Sequence, residues 1–347
     1  MSFFPLASAN RIKRLGLAVA TVLVPLTSPA EAAPSVVTTI KPVHSLVTAV
    51  MDGVGTPDIL IDGAASPHNF SLKPSQAFQL QGADLVFWIG EGLETSLTKA
   101  MTSLPESARV VELMDAEGLE LLRFRDHDDF GEHDHGEEHN EHEAHRDGAH
   151  DEHDKDEHDD DHSEAGHDGH DHHGTNDPHI WLDPDNAMAM TDAIADALSE
   201  VDPDNAERYA ANAAAYKERL LTLSEEIKEQ LIPVRQRPFV VFHDAYHYFE
   251  DHFAVPAAGT ISLNPETPAS AERIREIRDM VKDEGIVCVF SEPQFPPKLV
   301  KVVVEGTSVR SDVLDPLGTA HANGPDLYAQ LLQEAANSIT RCLTDTK

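Results

Sequence analysis

Histidine is the residue type in this chain with the greatest capacity for chemistry. The chain has 347 residues and 21 histidines, and 14 of these lie between residues 126 and 177. Imidazole binds Zn²⁺ and similar divalent metals, and carboxylates add oxygen ligands. Because the histidines are mixed with Asp and Glu at irregular spacing, the pattern predicts many weak metal sites rather than one ordered site. The auxiliary sites are expected at His133, His135, His139, His142, His145, His150, His153, His158, His162, His167, His170, His172 and His173.

The segment from 126 to 177 also differs from the rest of the chain in charge and hydrophobicity. It contains 22 acidic and 2 basic residues, and the whole chain has a formal net charge of −36. Its only apolar side chains are one phenylalanine and three alanines. Such a segment cannot bury enough apolar surface to offset its conformational entropy, so we predict a disordered insert. The negative charge disfavours nucleic acid and anionic membranes as partners.

Three histidines outside this insert have more defined surroundings. His68 lies in "SPHNFSLKPS", His179 in "DPHIWLDP" and His243 at the end of "PFVVFH". A carboxylate, Asp315, lies in the comparable stretch "VLDPLG". A single histidine in a loop is more often a surface or cap residue than a ligand. Surface or helix-packing roles account for the remaining histidines, which are His44, His247, His252 and His321.

Short apolar runs of the strand type recur along the rest of the chain. The first four lie at 35–40, 58–61, 84–89 and 109–113, and the second four at 238–243, 254–260, 286–290 and 308–314. Loops or helical stretches separate them. Short apolar strands that alternate with helices indicate an α/β fold with mostly parallel sheets. We therefore predict two α/β lobes, each with a mostly parallel four-stranded sheet.

The predicted strands give the candidate ligands a common position. His68 follows the second strand, and His243 ends the fifth. His179 follows the fourth strand and the insert, and Asp315 follows the eighth. Ligands of open α/β sheets bind beyond the carboxyl ends of the strands, so these side chains converge if the lobes face each other across a cleft. Three imidazoles with a carboxylate or water suit Zn²⁺. Asp before Pro is also common in turns, so Asp315 is a direct ligand, a residue one water away, or only a turn residue.

One long helix is predicted between the lobes. Asp202 is a candidate N-cap with Pro203 as the first helical residue. Apolar side chains then recur at spacings of 3 and 4 and form one stripe, which consists of Tyr209, Ala213, Tyr216, Leu220, Leu223, Ile227 and Leu231. This helix is either a rigid strut or a surface helix of one lobe. The predicted boundaries are a leader at 1–32, an N-terminal lobe at 33–201 that contains the insert 126–177, a linking helix at 202–232 and a C-terminal lobe at 233–347.

The N-terminus has the layout of a signal peptide. Arg11, Lys13 and Arg14 precede an apolar run from 15 to 26, and Ala30–Ala32 fits a cleavage site. The run is too short to span a bilayer as a helix. We therefore expect an exported, soluble mature protein that begins near Ala33.

Export bears on the two cysteines, Cys288 and Cys342. In an oxidising compartment a disulfide between them is the preferred interpretation, and two buried thiols are the alternative. A bridge would close a span of 54 residues (342 − 288). The chain-entropy relation gives such a bridge a stabilisation of roughly 4 kcal/mol.

Four longer motifs carry a resemblance to a known family. They are "SPHNFSLKPSQ", "DPHIWLDPDN", "FVVFHDAYHYFE" and "SEPQFPPKLVKVVVEGTSVRSDVLDPLGT". These motifs resemble those of periplasmic metal-binding proteins of ABC importers, and more narrowly the zinc-uptake (ZnuA-type) branch. The resemblance runs from about Val36 to Cys342 and is interrupted by the insert. It implies two α/β lobes joined by a rigid helix, with the metal in the cleft between them.

The resemblance also implies a ligand set. The family's ligands correspond to His68, His179 and His243, and the manganese branch has a carboxylate ligand at the position of Asp315. Some zinc-branch members have Glu immediately before the first histidine, whereas this chain has Pro67. The zinc branch often carries a disulfide at the positions of Cys288 and Cys342 and a His-rich insert before the second ligand.

The function implied is that of a periplasmic receptor that delivers Zn²⁺ to an ABC-type permease of the inner membrane. A periplasmic zinc chaperone is a further expected partner, and the protein is expected to be a monomer and not an enzyme. The alternatives are an exported zinc buffer that acts through the insert, a manganese-type receptor and a zinc hydrolase. A hydrolase needs an open coordination position and a general base, and the sequence contains no HExxH motif.

Overall fold

The computed structural model describes Met1 and residues 32–344, except for 106, 126–129, 131–174, 264, 266 and 268. Nearly all of the predicted leader and of the insert, including the predicted disorder and every auxiliary histidine, lies outside the described residues. Those predictions therefore remain predictions. Within the part of the chain that is described, no helix is long and apolar enough to cross a membrane.

The N-terminal lobe is built on a four-stranded sheet. Its elements are β1 (Val36–Ile40), α1 (Lys41–Val50), β2 (Asp58–Ile61), α2 (Pro74–Gln81), β3 (Leu85–Trp88), α3 (Thr98–Ser103) and β4 (Arg109–Glu112). The strand order is β2-β1-β3-β4, and every pairing is parallel. Val37, Ile40 and Phe87 on the two central strands are fully buried, as expected for parallel strands that are covered on both faces.

The C-terminal lobe repeats this arrangement. Its elements are β5 (Phe239–His243), α6 (His247–Phe253), β6 (Gly259–Ser262), α7 (Ala271–Asp283), β7 (Cys288–Ser291), α8 (Lys298–Val304), β8 (Arg310–Val313) and α9 (Leu327–Leu343). The order is β6-β5-β7-β8, again with parallel pairings only. The predicted fold of two α/β lobes with parallel four-stranded sheets is confirmed.

One strand lies further along the chain than the sequence predicted. The expected run was 254–260, whereas β6 is Gly259–Ser262. Ala254 ends α6 in the left-handed conformation with φ 54°, and Pro256 has no N–H to donate to a sheet. The ladder with β5 therefore begins only at Gly259, which pairs with Val240.

Two consecutive helices lie between the two sheets along the chain. They are α4 (Pro184–Val201) and α5 (Ala206–Leu231). The long helix starts later than predicted, because residues 203–205 form a 3₁₀ turn before α5. Helix α5 packs on α1 and α4 and also on α6 and α9, so it contacts both lobes. In its apolar stripe Leu223 is only half-buried, and the neighbouring Ser224 takes the buried position.

The hydrophobic core is continuous between the lobes. One cluster includes side chains from β1 and β3, from α4 and α5, and from β5 and α9, and a second cluster covers the other face of the C-terminal sheet. Cys288 on β7 and Cys342 on α9 form a disulfide with a Cα–Cα distance of 6.0 Å. This confirms the predicted bridge, which ties α9 to the C-terminal sheet.

Candidate metal centre

Three histidines from separate parts of the fold meet in the cleft between the lobes. His68 lies in a 3₁₀ turn after β2, His179 directly precedes a second 3₁₀ turn, and His243 is the last residue of β5. The Nε2 atom of His179 lies 3.3 Å from Nε2 of His68 and 3.4 Å from Nε2 of His243. His179 and His243 are buried, and His68 is half-buried.

These separations match a single tetrahedral ion. Two imidazole nitrogens bound to one Zn²⁺ at 2.0–2.1 Å and a tetrahedral angle lie about 3.3 Å apart. The three donor atoms all lie within 4.8 Å of one another. Lone pairs of neighbouring imidazoles repel one another unless a proton or a cation lies between them, so a cluster of three Nε2 atoms suits a shared cation.

Two buried carboxylates orient two of these rings. His179 Nδ1 lies 2.6 Å from Asp177 Oδ1, and His243 Nδ1 lies 2.7 and 2.8 Å from the two oxygens of Glu292. A carboxylate accepts hydrogen bonds, so Nδ1 is the donor in each pair and Nε2 retains its lone pair for a metal. Each carboxylate also accepts the backbone N–H of the same histidine. Such partners fix ring orientation and strengthen the ligand.

The surroundings of the rings set their protonation. Burial, together with the two neighbouring histidines, lowers the pKa of His68 well below 6.5, and burial lowers the pKa of His179 in the same way. Both are therefore neutral, as a metal ligand must be. Burial opposes the charged form of His243, but the Glu292 carboxylate outweighs this and raises the pKa of His243 above 6.5.

The walls of the site are largely apolar. Trp181 packs beside His179 and Phe295 beside His243, with ring centroids 5.3 and 5.7 Å apart. The indole N–H of Trp181 donates to the carbonyl of Pro316 at 2.8 Å, which fixes the wall. A cleft of about 350 Å³ opens from His68 and His179. This cleft therefore offers ions a path to the histidines.

Residues 123–125 and 175–177, here called the insert root, pack against the C-terminal lobe beside this centre. Arg123 and Asn176 form an antiparallel bridge, so the chain just before the insert is paired with the insert's last residues. The guanidinium of Arg125 contacts the carboxylates of Asp244 and Glu250. Asp244 directly follows the candidate ligand His243, so this ion pair couples the insert root to the metal centre.

A buried hydrogen-bond chain joins three further elements. His252 on α6 lies 3.0 Å through Nδ1 from Asp183 Oδ1 and 2.8 Å through Nε2 from Ser224 Oγ. Asp183 caps α4 by accepting the N–H of Asp185. Asp183, Asp185 and His252 also form a second group of potential metal ligands. The hydrogen bonds of His252 give this group a structural role that needs no metal.

The structure does not bring Asp315 to the three histidines. Its Oδ1 accepts from Gln294 Nε2 and from the N–H of Leu317, and its Oδ2 accepts from both the N–H and the hydroxyl of Thr319. All four contacts are 2.6–3.1 Å long. Of the three roles that the sequence left open for Asp315, direct ligation is therefore not seen, and the residue stabilises its own loop.

Strand order gives the physical reason. Asp315 follows β8 and His243 ends β5, but β7 lies between these strands. Neighbouring strands are 4.7–4.9 Å apart, so the ends of β5 and β8 are separated by about 10 Å. The residue that lies next to His243 is Glu292, at the end of β7.

Sequence reasoning missed Asp177, Glu292 and Gln294. Asp177 and Glu292 orient the rings, and Gln294 lines the same cavity as the histidines. The signal for Glu292 and Gln294 was present, because "SEPQF" follows the seventh predicted strand and the strand-end rule applies there too. Asp177 is two residues before His179, but it is also the last residue of the predicted acidic insert, so its type did not distinguish it.

Comparisons with known proteins point to one and the same family. The family model described as ZnuA, the periplasmic component A of the zinc-uptake complex, matches residues 36–342. The high-affinity zinc uptake system protein ZnuA of Brucella suis biovar 1 is 53% identical over 309 residues, which are 89% of this chain and 91% of that protein. The protein of the same name from Paracoccus denitrificans is 46% identical over 334 residues, covering 96% and 99%.

Solved structures share the fold at lower sequence identity. A zinc-bound deletion mutant of ZnuA has a TM-score of 0.68 and 22% identity, covering 91% of this chain and all of that one. The periplasmic zinc-binding protein TroA of Treponema pallidum has a TM-score of 0.68 and 18% identity, covering 90% and 99%. Because the family model spans most of the chain and close relatives share about half of its residues, this chain belongs to the ZnuA family of periplasmic zinc-uptake components.

Proposed function

We propose that this protein is a periplasmic high-affinity zinc receptor that captures Zn²⁺ with His68, His179 and His243 and delivers it to an ABC-type permease. The observation that carries the proposal is the 3.3 and 3.4 Å separation of the Nε2 atoms, which suits one tetrahedral Zn²⁺. The relatives named as zinc uptake system proteins support the delivery step.

The alternatives find less support. A manganese-type site would need oxygen donors, and Asp315 is engaged in its own loop. A zinc hydrolase would need a free general base near the metal. Among the described residues, the two carboxylates that contact the ligands, Asp177 and Glu292, are both bound to ring Nδ1 atoms. A buffer that acts through the insert would have no use for an oriented cluster in the cleft.

The proposal includes the parts of the chain outside the described residues. The leader would direct export, with cleavage near Ala32, and the insert would collect zinc weakly beside the cleft. The inner-membrane permease and a periplasmic zinc chaperone would be the partners of a monomeric receptor. The mass of the exported protein and its elution volume in size-exclusion chromatography test cleavage and oligomeric state.

Zinc titration against a competing chelator tests the central claim. His179→Ala should abolish the tight site because it removes one of three imidazoles. Deletion of 126–174 should remove weak sites and leave the tight one. His321→Ala removes an imidazole outside the cluster and is the matched control. A deletion variant without tight binding, or a His179→Ala variant with wild-type binding, would refute the proposal.

Delivery needs a test in cells. Cells that carry the cognate permease but lack a receptor should take up radioactive zinc only when they express the wild-type chain or the deletion variant. Tight binding in solution without any uptake would leave a buffer and exclude a receptor.

A further inference from the structure

The three histidines leave one position of a tetrahedral ion to be filled. What fills this position rests on the proposed function, since it assumes that Zn²⁺ binds to the three histidines. Among the described residues, the group of His, Cys, Asp and Glu donors at this place contains only the three histidines. An incomplete protein ligand set usually leaves the fourth position to water.

The nearby carboxylates are already engaged. Both oxygens of Glu292 lie within 2.8 Å of His243 Nδ1, and Asp177 Oδ1 is held by His179. Asp315 accepts four hydrogen bonds, as described above. Moving any of them to the metal would break a buried hydrogen bond and leave a donor unpaired.

Gln294 is the neutral polar side chain with an unused atom at the centre. It lines the cavity together with the three histidines. Its Nε2 donates to Asp315 Oδ1 at 2.9 Å. Because a carboxylate accepts and does not donate, this contact determines which end of the amide is nitrogen. Its Oε1 is buried and has no hydrogen-bond partner among the described residues.

An unpaired buried amide oxygen is unfavourable and indicates a missing donor. Most of the cavity wall is apolar, with Pro67, Trp181, Phe295, Pro316 and Leu317. Ser66 is the other neutral polar side chain in the wall, and its Oγ accepts the N–H of His68 at 3.3 Å. A water molecule on the fourth position of Zn²⁺ would bring two strongly polarised O–H donors to this place.

We propose that Gln294 Oε1 accepts a hydrogen bond from a water molecule that occupies the fourth coordination position of the bound Zn²⁺, and that Asp315 orients the amide for this purpose. Asp315 is then a positioning residue and not a ligand. The fourth position stays exchangeable, and it prefers a donor such as water to an anion that can only accept.

The preference for water over an anion can be tested with a measurement that a purely structural role of Gln294 would leave unchanged. Gln294→Met keeps the length of the side chain and removes the amide oxygen. Gln333→Met removes the same atoms on α9, where Gln333 is paired with Gln230, and is the matched control. Each variant is loaded with Zn²⁺ for affinity measurement and with Co²⁺, whose visible spectrum reports the coordination sphere.

Gln294→Met should bind zinc about two- to tenfold more weakly, because one hydrogen bond to the bound water is lost. It should also bind azide at the Co²⁺ centre about five- to a hundredfold more tightly, because no unpaired oxygen then faces the anion. Asp315→Asn lets the amide adopt either orientation, so azide affinity should lie between those of the wild type and Gln294→Met. Gln333→Met should leave both quantities unchanged.

Magnetic resonance of the Co²⁺-loaded wild type in H₂O and D₂O supplies an independent readout. Exchangeable protons at the distance of a coordinated water support the proposal, and their absence overturns it in favour of direct ligation by the protein. Unchanged azide affinity in Gln294→Met also overturns it. If the wild type itself has no tight zinc site, the proposed function fails instead, so the two failures are distinguishable.

Discussion

Replacement of Arg125 by methionine should destabilise the fold through two buried carboxylates. Arg125 Nη1 lies 2.8 Å from Glu250 Oε2, and Nε lies 3.1 Å from Asp244 Oδ2. The side chain of Arg125 is 13% exposed, and those of Asp244 and Glu250 are 5% and 3% exposed. Burial opposes the charged form of Arg125, but Glu250 and Asp244 together raise its pKa above the usual value. Arg125 therefore keeps its positive charge at every relevant pH.

The size of the effect follows from what remains after the substitution. Methionine retains most of the packing of the arginine stem, but Asp244 and Glu250 lose their cation in a site that excludes water. Removal of one partner from a buried ion pair destabilises by about 3–5 kcal/mol. Glu250 keeps the backbone N–H of Ala257 at 3.0 Å. Most of the loss should therefore come from Asp244.

Urea unfolding of matched variants measures this effect. Arg219→Met is the control, because its pair with Asp326 has side chains 55% and 62% exposed and should contribute less than about 1 kcal/mol. Addition of Asp244→Asn to Arg125→Met removes the unpaired charge and should recover a large part of the lost stability. Zinc affinity should fall in the single variant, since Asp244 follows His243. If Arg125→Met is no less stable than Arg219→Met, the ion pair is effectively solvated and the argument from burial fails.

Three further changes test other parts of the structure. Burial raises the pKa of Glu94 to about 7, so its folded state holds a proton more tightly than the unfolded chain. The free energy of unfolding should fall by up to about 3 kcal/mol as the pH rises from about 4.5 to above 7. Urea unfolding at pH 5 and pH 8 should show a smaller fall in Glu94→Gln than in the wild type. An equal fall in both proteins would contradict the prediction. Replacement of Cys288 and Cys342 by alanine should destabilise by roughly 4 kcal/mol, and an unchanged urea midpoint would show that the bridge contributes little. Asp177→Asn should weaken zinc binding about 10–100-fold in chelator competition, and wild-type affinity would show that His179 does not need its carboxylate.

The strands could be predicted because parallel strands have a distinctive composition. Runs such as "SVVTTI" and "PFVVFH" are apolar on both faces, since helices cover both sides of the sheet. The strand predicted at "AVPAAGT" begins too early in the chain for a local reason. It is equally apolar, but Pro256 and the left-handed Ala254 prevent sheet pairing until Gly259. Composition detects burial, whereas hydrogen-bonding capacity decides where a ladder begins.

The long helix shows a similar limit. Spacing in steps of 3 and 4 predicted a stripe that included Leu223, but the structure buries Ser224 there. Ser224 contacts His252 Nε2 at 2.8 Å, and His252 comes from a helix more than 20 residues further along the chain. A polar residue can occupy a buried position only when a partner satisfies it. Periodicity cannot reveal a partner that tertiary packing supplies.

The candidate site was predictable to the level of strand ends and no further. The rule that ligands lie beyond the carboxyl ends of strands selected His68, His243 and Asp315 alike, but it does not state which strands are neighbours. In the order β6-β5-β7-β8, the end of β7 lies beside His243 and the end of β8 lies one strand further away. Glu292 therefore reaches the ring of His243. Asp315 instead meets three donors of its own loop, from Leu317 and Thr319, and the amide of Gln294. Two acids at equivalent positions along the chain thus acquire different roles, because strand order and local N–H donors decide what each carboxylate binds.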